Sequence, residues 1–426
     1  MSACRARERG LTLLELLVAL GVSAIAIAAA MSLLIQQQRS YATTSADRAQ
    51  QEAGQLALKE LTARLKLAGF GVDPNLAIDV GEQQLPIPRE GAPTNAVAME
   101  SFKCKDPIAC RDSTKASDEL VFYSRNPMFS RVITNFDTGS LTFVGSLKKP
   151  IYQGQIVQVM CLGESQARGY ATVSKTVMPS GKVDPTEKVT LELAGPRTVG
   201  SARVFPYEND ASLVADTCWK LTEPGNQPVA TLVDRWRFYV GWYDEGGKIA
   251  VAQAEGARPY LMLDKGIFDE NGAEILLPVA PDVEDLQVAY YFRPAAALGP
   301  MQVAGAEQGT AASDDKLPLT VKEQAPDYTD TPDAATRNTG HPNNVRGVRV
   351  GVVIRSPEKD LSAASLPDRT LPPLLNRVPF EGAPYYRRTT FETTVLVRNL
   401  QSTYFPYTQT IQAGVADPTG LNQGGG

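Results

Sequence analysis

Residues 5–35 read RARERGLTLLELLVALGVSAIAIAAAMSLLI, and this stretch decides the fold of the chain. A short basic leader ends at Gly10, and a long apolar run follows that contains one early carboxylate, Glu15. Residues 11–35 are enough to cross a bilayer as a helix, because about 20 residues at roughly 1.5 Å each match the hydrocarbon core. We therefore predict a membrane-spanning helix near the start of the chain.

The small residue Gly10 lies before the apolar run. An ordinary secretory signal carries its small-residue cleavage site after the apolar stretch. Cleavage after Gly10 would therefore leave the apolar helix on the mature protein. Arg5, Arg7 and Arg9 precede the run and should hold the leader in the cytoplasm, since positive residues favour that side. The rest of the chain is expected on the opposite side of the membrane.

The stretch GLTLLEL, residues 10–16, resembles the class III signal of type IV prepilins and pseudopilins. The resemblance implies cleavage between Gly10 and Leu11 by a prepilin peptidase, followed by N-methylation of Leu11. Leu11 stands where most members of the family carry Phe. A charge near the start of a membrane helix costs about 2.5–3.5 kcal/mol on insertion, so Glu15 needs a partner or a function. The resemblance implies that Glu15 neutralises the N-terminus of an adjacent subunit; the alternative is a plain anchor in which Glu15 is incidental.

Composition indicates an exported, acidic body. The chain has 426 residues, 30 prolines and a formal net charge of −5. Residues 1–10 carry three arginines and one glutamate, so their removal takes the net charge to −7. Charge alone therefore gives no argument for nucleic-acid binding. A polar average and many prolines are typical of a β-rich, loop-rich domain.

The helix is predicted to continue beyond the membrane over residues 36–70. Three leucines at i, i+3 and i+7 form a stripe on which the body should pack: Leu58, Leu61 and Leu65. Two glycines and a proline predict the end of the helix: Gly69, Gly71 and Pro74.

Alternation of apolar and polar residues predicts strands in the rest of the chain. The segments with this pattern are residues 119–124, 155–161, 188–193, 232–242, 286–292, 348–354 and 391–397. One long helix followed by many strands predicts an α+β fold. We expect a pilin-like molecule in which a long N-terminal helix, membrane-spanning in its first half, packs on a β-rich globular body of antiparallel sheets.

Five internal blocks resemble PilW-type minor pilins and occur in that family's order. They are LKLAGFG (residues 65–71), SDELVFYSR (117–125), VEDLQVAYYF (283–292), RGVRVGVVIRS (346–356) and RRTTFETTVLVRNL (387–400). The resemblance implies a low-abundance subunit that helps to nucleate the pilus and stays near its tip, with other minor pilins, the major pilin and a tip adhesin as partners. The subunit would start in the inner membrane with its body in the periplasm and then move to the pilus tip. The alternatives are a minor pseudopilin of a type II secretion system and a DNA-uptake pilin.

These observations divide the chain into six segments. They are a leader (1–10), a membrane or filament-core helix (11–35), its amphipathic continuation (36–70), a β-rich body (71–298), a polar loop or insertion (299–344), and C-terminal strands with a tail (345–426). The polar segment is a surface loop or a contact for a tip partner, because so long a structureless connection is unusual in a compact domain.

Cysteine usage agrees with export into an oxidising compartment. Cys4 leaves with the leader, and the mature chain keeps an even number, Cys104, Cys110, Cys161 and Cys218. Three pairings remain open, and the close spacing favours Cys104 with Cys110, which leaves Cys161 with Cys218. A zinc site is the alternative, but the spacing is not CxxC and the one histidine is far away in sequence.

No catalytic constellation is evident, and we predict that the protein is not an enzyme. The single histidine, His341, argues against a His-dependent triad, and no phosphate-binding glycine loop occurs. No cofactor is predicted. The acidic runs 264–274 and 327–333 are candidate calcium sites, although neither has the register of a calcium loop and residues 269–272 fit a hairpin turn better.

Five arginines fall on or near the late strands: Arg346, Arg349, Arg355, Arg387 and Arg388. They could form a basic patch that contacts DNA or an acidic subunit. The interpretation that we favour is a solvated sheet face whose arginines pair with nearby carboxylates, because the mature chain is acidic.

Overall fold

The computed structural model describes residues 13–72, 77–79, 117–136, 139–161, 168–193, 198–199, 202–203, 228–250, 256–292, 302–304, 345–359, 374 and 385–400. Within these ranges one long helix precedes a body built of strands. Every strand pairing in the described part is antiparallel. The prediction of an α+β fold with antiparallel sheets is confirmed.

Helix α1 runs without a break over Leu13–Leu65, and its 53 residues span about 80 Å at 1.5 Å per residue. A turn follows in which Gly69 and Gly71 have φ angles of 77° and 67°, a conformation that glycine adopts without a Cβ penalty. A Cβ on Gly71 would lie 2.6 Å from Nε of Arg125. The two predicted glycines therefore lie just after the helix, where the chain turns closely against a strand.

The second half of α1 buries a narrow stripe of side chains. Ala53, Ala57, Leu61 and Leu65 recur every four residues and are at most 7% exposed. The predicted stripe is confirmed at Leu61 and Leu65, whereas Leu58 is only partly buried. The buried stripe continues from Leu61 towards the N-terminus through Ala57 and Ala53, so Leu58 lies at its edge.

The described residues contain fifteen strands. In chain order these are β1 (Ile78–Asp79), β2 (Leu120–Phe136), β3 (Ser140–Val144), β4 (Ile156–Cys161), β5 (Arg168–Thr172), β6 (Lys188–Glu192), β7 (Thr198–Val199), β8 (Ala202–Arg203), β9 (Pro228–Tyr243), β10 (Arg258–Phe268), β11 (Glu274–Pro281), β12 (Val283–Phe292), β13 (Gln302–Ala304), β14 (Val345–Arg355) and β15 (Arg388–Leu396). A 3-10 turn at Arg398–Leu400 follows β15.

Strand β9 is the centre of a nine-stranded sheet, the first sheet. One of its edges pairs with β2 along most of its length. Its other edge pairs with β4 in its first half and with β10 in its second half. The sheet then extends from β10 to β11, from β4 to β5, and from β2 to β3 and β6, while β1 pairs with the start of β2. Because β9 is long, its first half pairs with strands at one end of the body and its second half with strands at the other end.

A second sheet has the strand order β13-β12-β14-β15. The chain passes from the first sheet to the second at Asp282, which lies between β11 and β12 with a φ of 60°. The backbone N–H of Asp282 donates to the carbonyl of Pro259 (2.8 Å), and its carbonyl accepts from the N–H of Arg355 (2.9 Å). The N–H of Asp118 donates to the carbonyl of Leu286 (2.8 Å) and joins the sheets at a second place.

Two large hydrophobic cores lie on the shared strands β2 and β9. The core against the helix stripe joins both sheets and includes Leu120, Phe122, Trp236, Phe238, Leu261, Val288, Val348, Val350 and Val395. The other core lies at the opposite end of β2 and β9 and includes Ile133, Leu141, Phe143, Val157, Val159, Val173, Leu191 and Ala230. The helix therefore packs on one end of the body, and β3–β6 enclose the other.

All seven predicted strand segments are strands in the structure. The sequence patterns missed β3, β5, β10 and β11 and the two-residue strands β1, β7 and β8. They also missed the short strand β13 inside the predicted polar loop 299–344; the rest of that loop lies outside the described residues. Strand β10 lacks alternation because apolar residues occupy both of its faces, as in the consecutive buried residues Leu261, Met262 and Leu263. A strand of that kind cannot be separated from a helix by periodicity alone.

The stripe on α1 gives a first prediction. Replacing Leu61→Ala should lower the free energy of unfolding by about 2–5 kcal/mol, because Leu61 is fully buried between helix and sheets. The matched control is Leu56→Ala, since the side chain of Leu56 is 42% exposed and should lose less than about 1 kcal/mol. Urea unfolding of the full chain in detergent micelles, followed by tryptophan fluorescence, measures both. Equal losses in the two variants would contradict this packing.

Candidate functional site

The first half of α1 exposes apolar side chains on all sides. Every described side chain over residues 13–35 is exposed, with Leu13 at 80% and Ile25 at 72%. α1 contains a stretch that is long and apolar enough to cross a membrane, and no part of its most apolar window is buried against the body. A helix that is hydrophobic all round requires lipid or other helices around it. This half of α1 is therefore the candidate functional surface of the chain.

The body holds the helix from Gln50 onwards, and Gln50 is the first buried residue among the α1 side chains that the structure describes. Its Nε2 donates to the carbonyl of Arg387 (2.7 Å), and its Oε1 accepts from the hydroxyl of Thr389 (3.2 Å). Four residues later, a Cβ on Gly54 would lie 2.5 Å from the ring of Phe391, so only glycine permits this approach. The residues before Gln50 extend roughly 55 Å beyond the body at 1.5 Å per residue.

The predicted processing residues are only partly within the described chain. Gly10 and Leu11 lie outside the described residues. The backbone of Glu15 lies in the first turn of α1, and its side chain is outside the described part. Cleavage, methylation and pairing of Glu15 with a neighbouring N-terminus therefore stay predictions.

The predicted disulfides also stay predictions. Cys161 ends β4, where its backbone pairs with that of Pro228 on β9, and its side chain is outside the described part. Cys104, Cys110 and Cys218 lie outside the described residues.

A buried ionic cluster lies on the face of β9 that points away from the helix. The guanidinium of Arg237 donates from Nε and Nη2 to the carboxylate of Glu119 (3.0 and 2.6 Å) and from Nη1 to Oδ2 of Asp264 (3.2 Å). Arg235 donates to the same oxygen of Asp264 (3.3 Å). All four residues are at most 8% exposed. Such charges are tolerated in a core because each has a partner.

The electrostatics of this cluster follow from burial and charge. Burial opposes the charge on Arg237, but Glu119 and Asp264 outweigh it and raise the pKa of the guanidinium above its usual value. Burial would also raise the pKa of Asp264, yet Arg235 and Arg237 hold it below its ordinary value. Arg237 and Asp264 therefore favour their charged forms, and the cluster connects β9 and β10 with the residue that precedes β2.

Glu274, at the start of β11, borders the cluster and behaves differently. Burial, together with the negative charge of Asp264, raises its pKa from 4.5 to about 7. The two carboxyl groups cannot both be charged at low cost, so the proton resides on Glu274 below that pH. This cluster was not predicted, although the alternation of arginines with aromatic residues over residues 235–239 indicated a strand with charged side chains on one face.

The arginines of the second sheet are more buried than predicted. Arg349 pairs with Glu392 (2.6 Å), and Arg388 forms two hydrogen bonds with Glu284 (2.6 and 3.1 Å), so the predicted pairing with carboxylates is confirmed for these two. Arg346 is only 5% exposed and donates to the carbonyl of Val345. The expectation of a solvated face is therefore wrong for Arg346 and Arg355, which are at most 5% exposed.

The acidic run 264–274 is part of the fold. Asp269 begins the turn of the predicted hairpin, which is confirmed between β10 and β11, and its carboxylate accepts from the N–H groups of Asn271 (2.9 Å) and Ala273 (2.7 Å). Asp264 faces arginines instead. Across the described ranges no cluster of three or more His, Cys, Asp or Glu side chains suits a metal ion. The other run, 327–333, and His341 lie outside the described residues, so calcium there stays a prediction.

The raised pKa of Glu274 gives a second prediction. Its folded pKa of about 7 exceeds the unfolded value of 4.5, so the folded form binds the proton more tightly. The resulting stability is fully present below pH 4.5 and is lost as the pH rises to about 7. Replacing Glu274→Gln should remove this loss and stabilise the protein at pH 8 by on the order of 2–3 kcal/mol, a value reduced for partial solvent access.

Urea unfolding of the full chain in micelles between pH 4.5 and 8 measures this effect. The matched control is Glu270→Gln in the exposed turn of the same hairpin, which should keep the wild-type slope. Asp264 does not interfere, because its lowered pKa places its effect below this pH range. A Glu274→Gln variant with an unchanged slope would refute the assignment.

Two family models match the chain. Residues 5–31 match the prokaryotic N-terminal methylation motif, and residues 249–399 match PilW, described as type IV pilus-assembly protein W. No curated protein and no solved structure matches significantly. The first match covers the predicted processing site and most of the apolar surface of α1, and the second covers β10–β15, including the strands that hold α1.

These matches support membrane anchoring, prepilin processing and association with other pilus components, and they point to a structural protein. Together the two matches support a type IV pilin-like protein with a class III prepilin signal and a minor-pilin-like role in the type IV pilus.

Proposed function

We propose that this chain primes type IV pilus assembly as a minor pilin and sits in the tip complex of the pilus. The observation that carries the proposal is the division of α1 into two halves. Residues 13–35 expose apolar side chains in every direction, while residues 50–65 are fixed in the body. A body held rigidly on an exposed apolar helix is suited to inserting that helix into a bundle of like helices.

Insertion into the bundle proceeds from the membrane. Arg5, Arg7 and Arg9 keep the leader cytoplasmic, so the body faces the periplasm. A prepilin peptidase then cleaves between Gly10 and Leu11, and the new N-terminus is methylated. Lipid surrounds the apolar half of α1 until neighbouring subunits replace it. The mature protein leaves the inner membrane when it enters the pilus.

Glu15 provides the polar contact in this scheme. Cleavage creates an α-amino group on Leu11, and an unpaired charge among apolar helices is costly. The carboxylate of Glu15 pairs with the α-amino group of a neighbouring subunit. A subunit that carries this carboxylate is suited to a position within the stack, beside other minor pilins and the major pilin, with a tip adhesin beyond them.

Features of the body favour a pilus subunit over the two alternatives. The PilW match over residues 249–399 favours the pilus over a type II secretion system. A DNA-uptake pilin needs accessible cations, but Arg349 and Arg388 pair with carboxylates. Arg346 is buried, which also limits its access to a phosphate backbone.

Deletion of the gene in its native host gives the third prediction. Surface pili should fall to a small fraction of the wild-type count and return when the wild-type chain is supplied. Gly10→Val, which blocks cleavage, and Glu15→Ala, which removes the polar contact, should fail to restore pili although the protein is present in the membrane. Electron microscopy of sheared pili and immunoblots of membranes measure these results.

The matched control is Leu16→Ala, which changes the next residue of the same helix without removing a charge and should restore pili. Normal pili with lost enzyme secretion would favour the pseudopilin. Normal pili with normal secretion in the deletion strain would refute the priming role. Full restoration by Glu15→Ala would refute the proposed role of the Glu15 carboxylate without refuting the priming role.

A further inference from the structure

A pocket of about 810 Å³ opens at the junction of the two sheets. It lies where β9 ends and β10 begins, beside the end of β14 and the residues before β15. Three tyrosines line it, Tyr243, Tyr260 and Tyr386, and the rings of Tyr243 and Tyr260 meet edge to face at 5.9 Å. This size and an aromatic lining with a few polar groups are typical of sites for small ligands.

Arg355 is one of the charged residues that line this pocket. Its side chain is buried, with the residue 4% exposed, and lies between two rings at 4.2 Å from the centroid of Tyr386 and 5.4 Å from that of Trp242. Its Nη2 donates to the carbonyl of Ala257 (3.0 Å), and its Nε has no acceptor. In the described part of the chain, no carboxylate lies within 4 Å of this guanidinium.

Arg258, the second arginine that lines the pocket, has the carboxylate partner that Arg355 lacks among the described residues. Arg258 forms two hydrogen bonds with the carboxylate of Asp282 (2.9 and 2.7 Å), and this contact raises its pKa. Burial instead lowers the pKa of Arg355, because the neighbouring charges are too distant to compensate. A buried guanidinium without a carboxylate is costly, and a bound anion would remove that cost.

We propose that this pocket binds a small ligand through a carboxylate that pairs with Arg355. The rings of Tyr243, Tyr260 and Tyr386 contact the ring or apolar body of that ligand. Two exposed acidic residues on the pocket wall, Asp244 and Glu245, accept hydrogen bonds from donors at its other end. The ligand therefore combines one carboxylate with hydroxyl or ammonium groups, as acidic sugars and short peptides with a free C-terminus do.

The position of the pocket favours a dissolved ligand over a lipid headgroup. Gln50 of α1 contacts Arg387, which adjoins Tyr386 in the pocket wall. Between Ile35, where the apolar run ends, and Gln50 the helix rises roughly 22 Å at 1.5 Å per residue. The headgroup layer adds only about 5–8 Å to each side of the hydrocarbon core. Lipid carboxylates and phosphates therefore do not reach Arg355.

Calorimetric titration of the full chain in detergent micelles tests the proposal with two matched pairs of probes. D-glucuronate is compared with D-glucose, and glycyl-L-tyrosine with its C-terminal amide. In at least one pair the acid should bind about tenfold more tightly than its neutral partner, as expected for a charge-assisted contact. A preference in the first pair identifies an acidic sugar as the source, and one in the second pair identifies a peptide terminus. Equal binding within both pairs, or no binding by either acid up to about 10 mM, would overturn the proposal.

Variants assign the effect to this pocket. Arg355→Gln should abolish the preference for the acid, whereas Arg349→Gln, on the same strand and outside the pocket, should keep it. If Arg355→Gln does not fold, Tyr386→Ala takes its place and should weaken the preferred acid about tenfold. An acid preference that survives in the folded Arg355 variant, or an unchanged affinity for the preferred acid in the Tyr386 variant used in its place, would overturn the assignment.

Discussion

The packing of the α1 stripe against two sheets is the interaction on which the rest of the structure depends. Leu61 and Leu65 lie in the core that contains residues of both sheets, so each sheet buries its inner face against the same helix. Each fully buried leucine contributes about 1.5–3 kcal/mol through removal of apolar surface from water. Ala53 and Gly54 contribute differently, since their small size brings β14 and β15 close to the helix backbone. The helix is therefore both the anchor of the chain and a central element of its core.

The two faces of β9 divide the stabilising interactions of the body. Trp236 and Phe238 point towards the helix and bury apolar surface, while Arg235 and Arg237 point the other way and pair with carboxylates. Apolar packing tolerates small shifts of register, but paired guanidinium and carboxylate groups require one geometry. A shift of β9 by one residue would place both arginines in the apolar core. The ionic cluster thus fixes a register that the hydrophobic core alone leaves less well defined.

The sequence predicted the elements that follow a simple period. The apolar run to Ile35 and the helix beyond it were readable. The strands β9, β12 and β14 were readable because apolar residues recur at every second position, although both faces of these strands are largely buried. The position of β10 was not readable, since Leu261, Met262 and Leu263 put apolar side chains on both of its faces and its sequence does not alternate. Contacts between distant segments were also out of reach. Asp264 and Arg237 meet only because β10 pairs with β9, and no local pattern states that pairing.

The predicted processing site, in contrast to these long-range contacts, was readable from a local stretch of sequence. Gly10, Leu11 and Glu15 were identified from a short motif, and a motif match supports that region, because the peptidase signal is local in sequence. The pocket around Arg355 was not predicted. Its lining comes from four separate strand ends, and Arg355 was interpreted as one member of a solvated row until the fold placed it between Tyr386 and Trp242.

The parallel course of α1 and β15 has a mechanical consequence. Gln50 contacts Arg387 near the start of this pair, and Gly69, just after the helix, lies against Leu400 at its end. A pull on the N-terminal half of the helix is therefore transmitted along a contact line that runs in the direction of the force. Contacts loaded in shear share the tension and must yield together, whereas contacts loaded by peeling break one at a time. The subunit is thus built to resist axial tension along its helix.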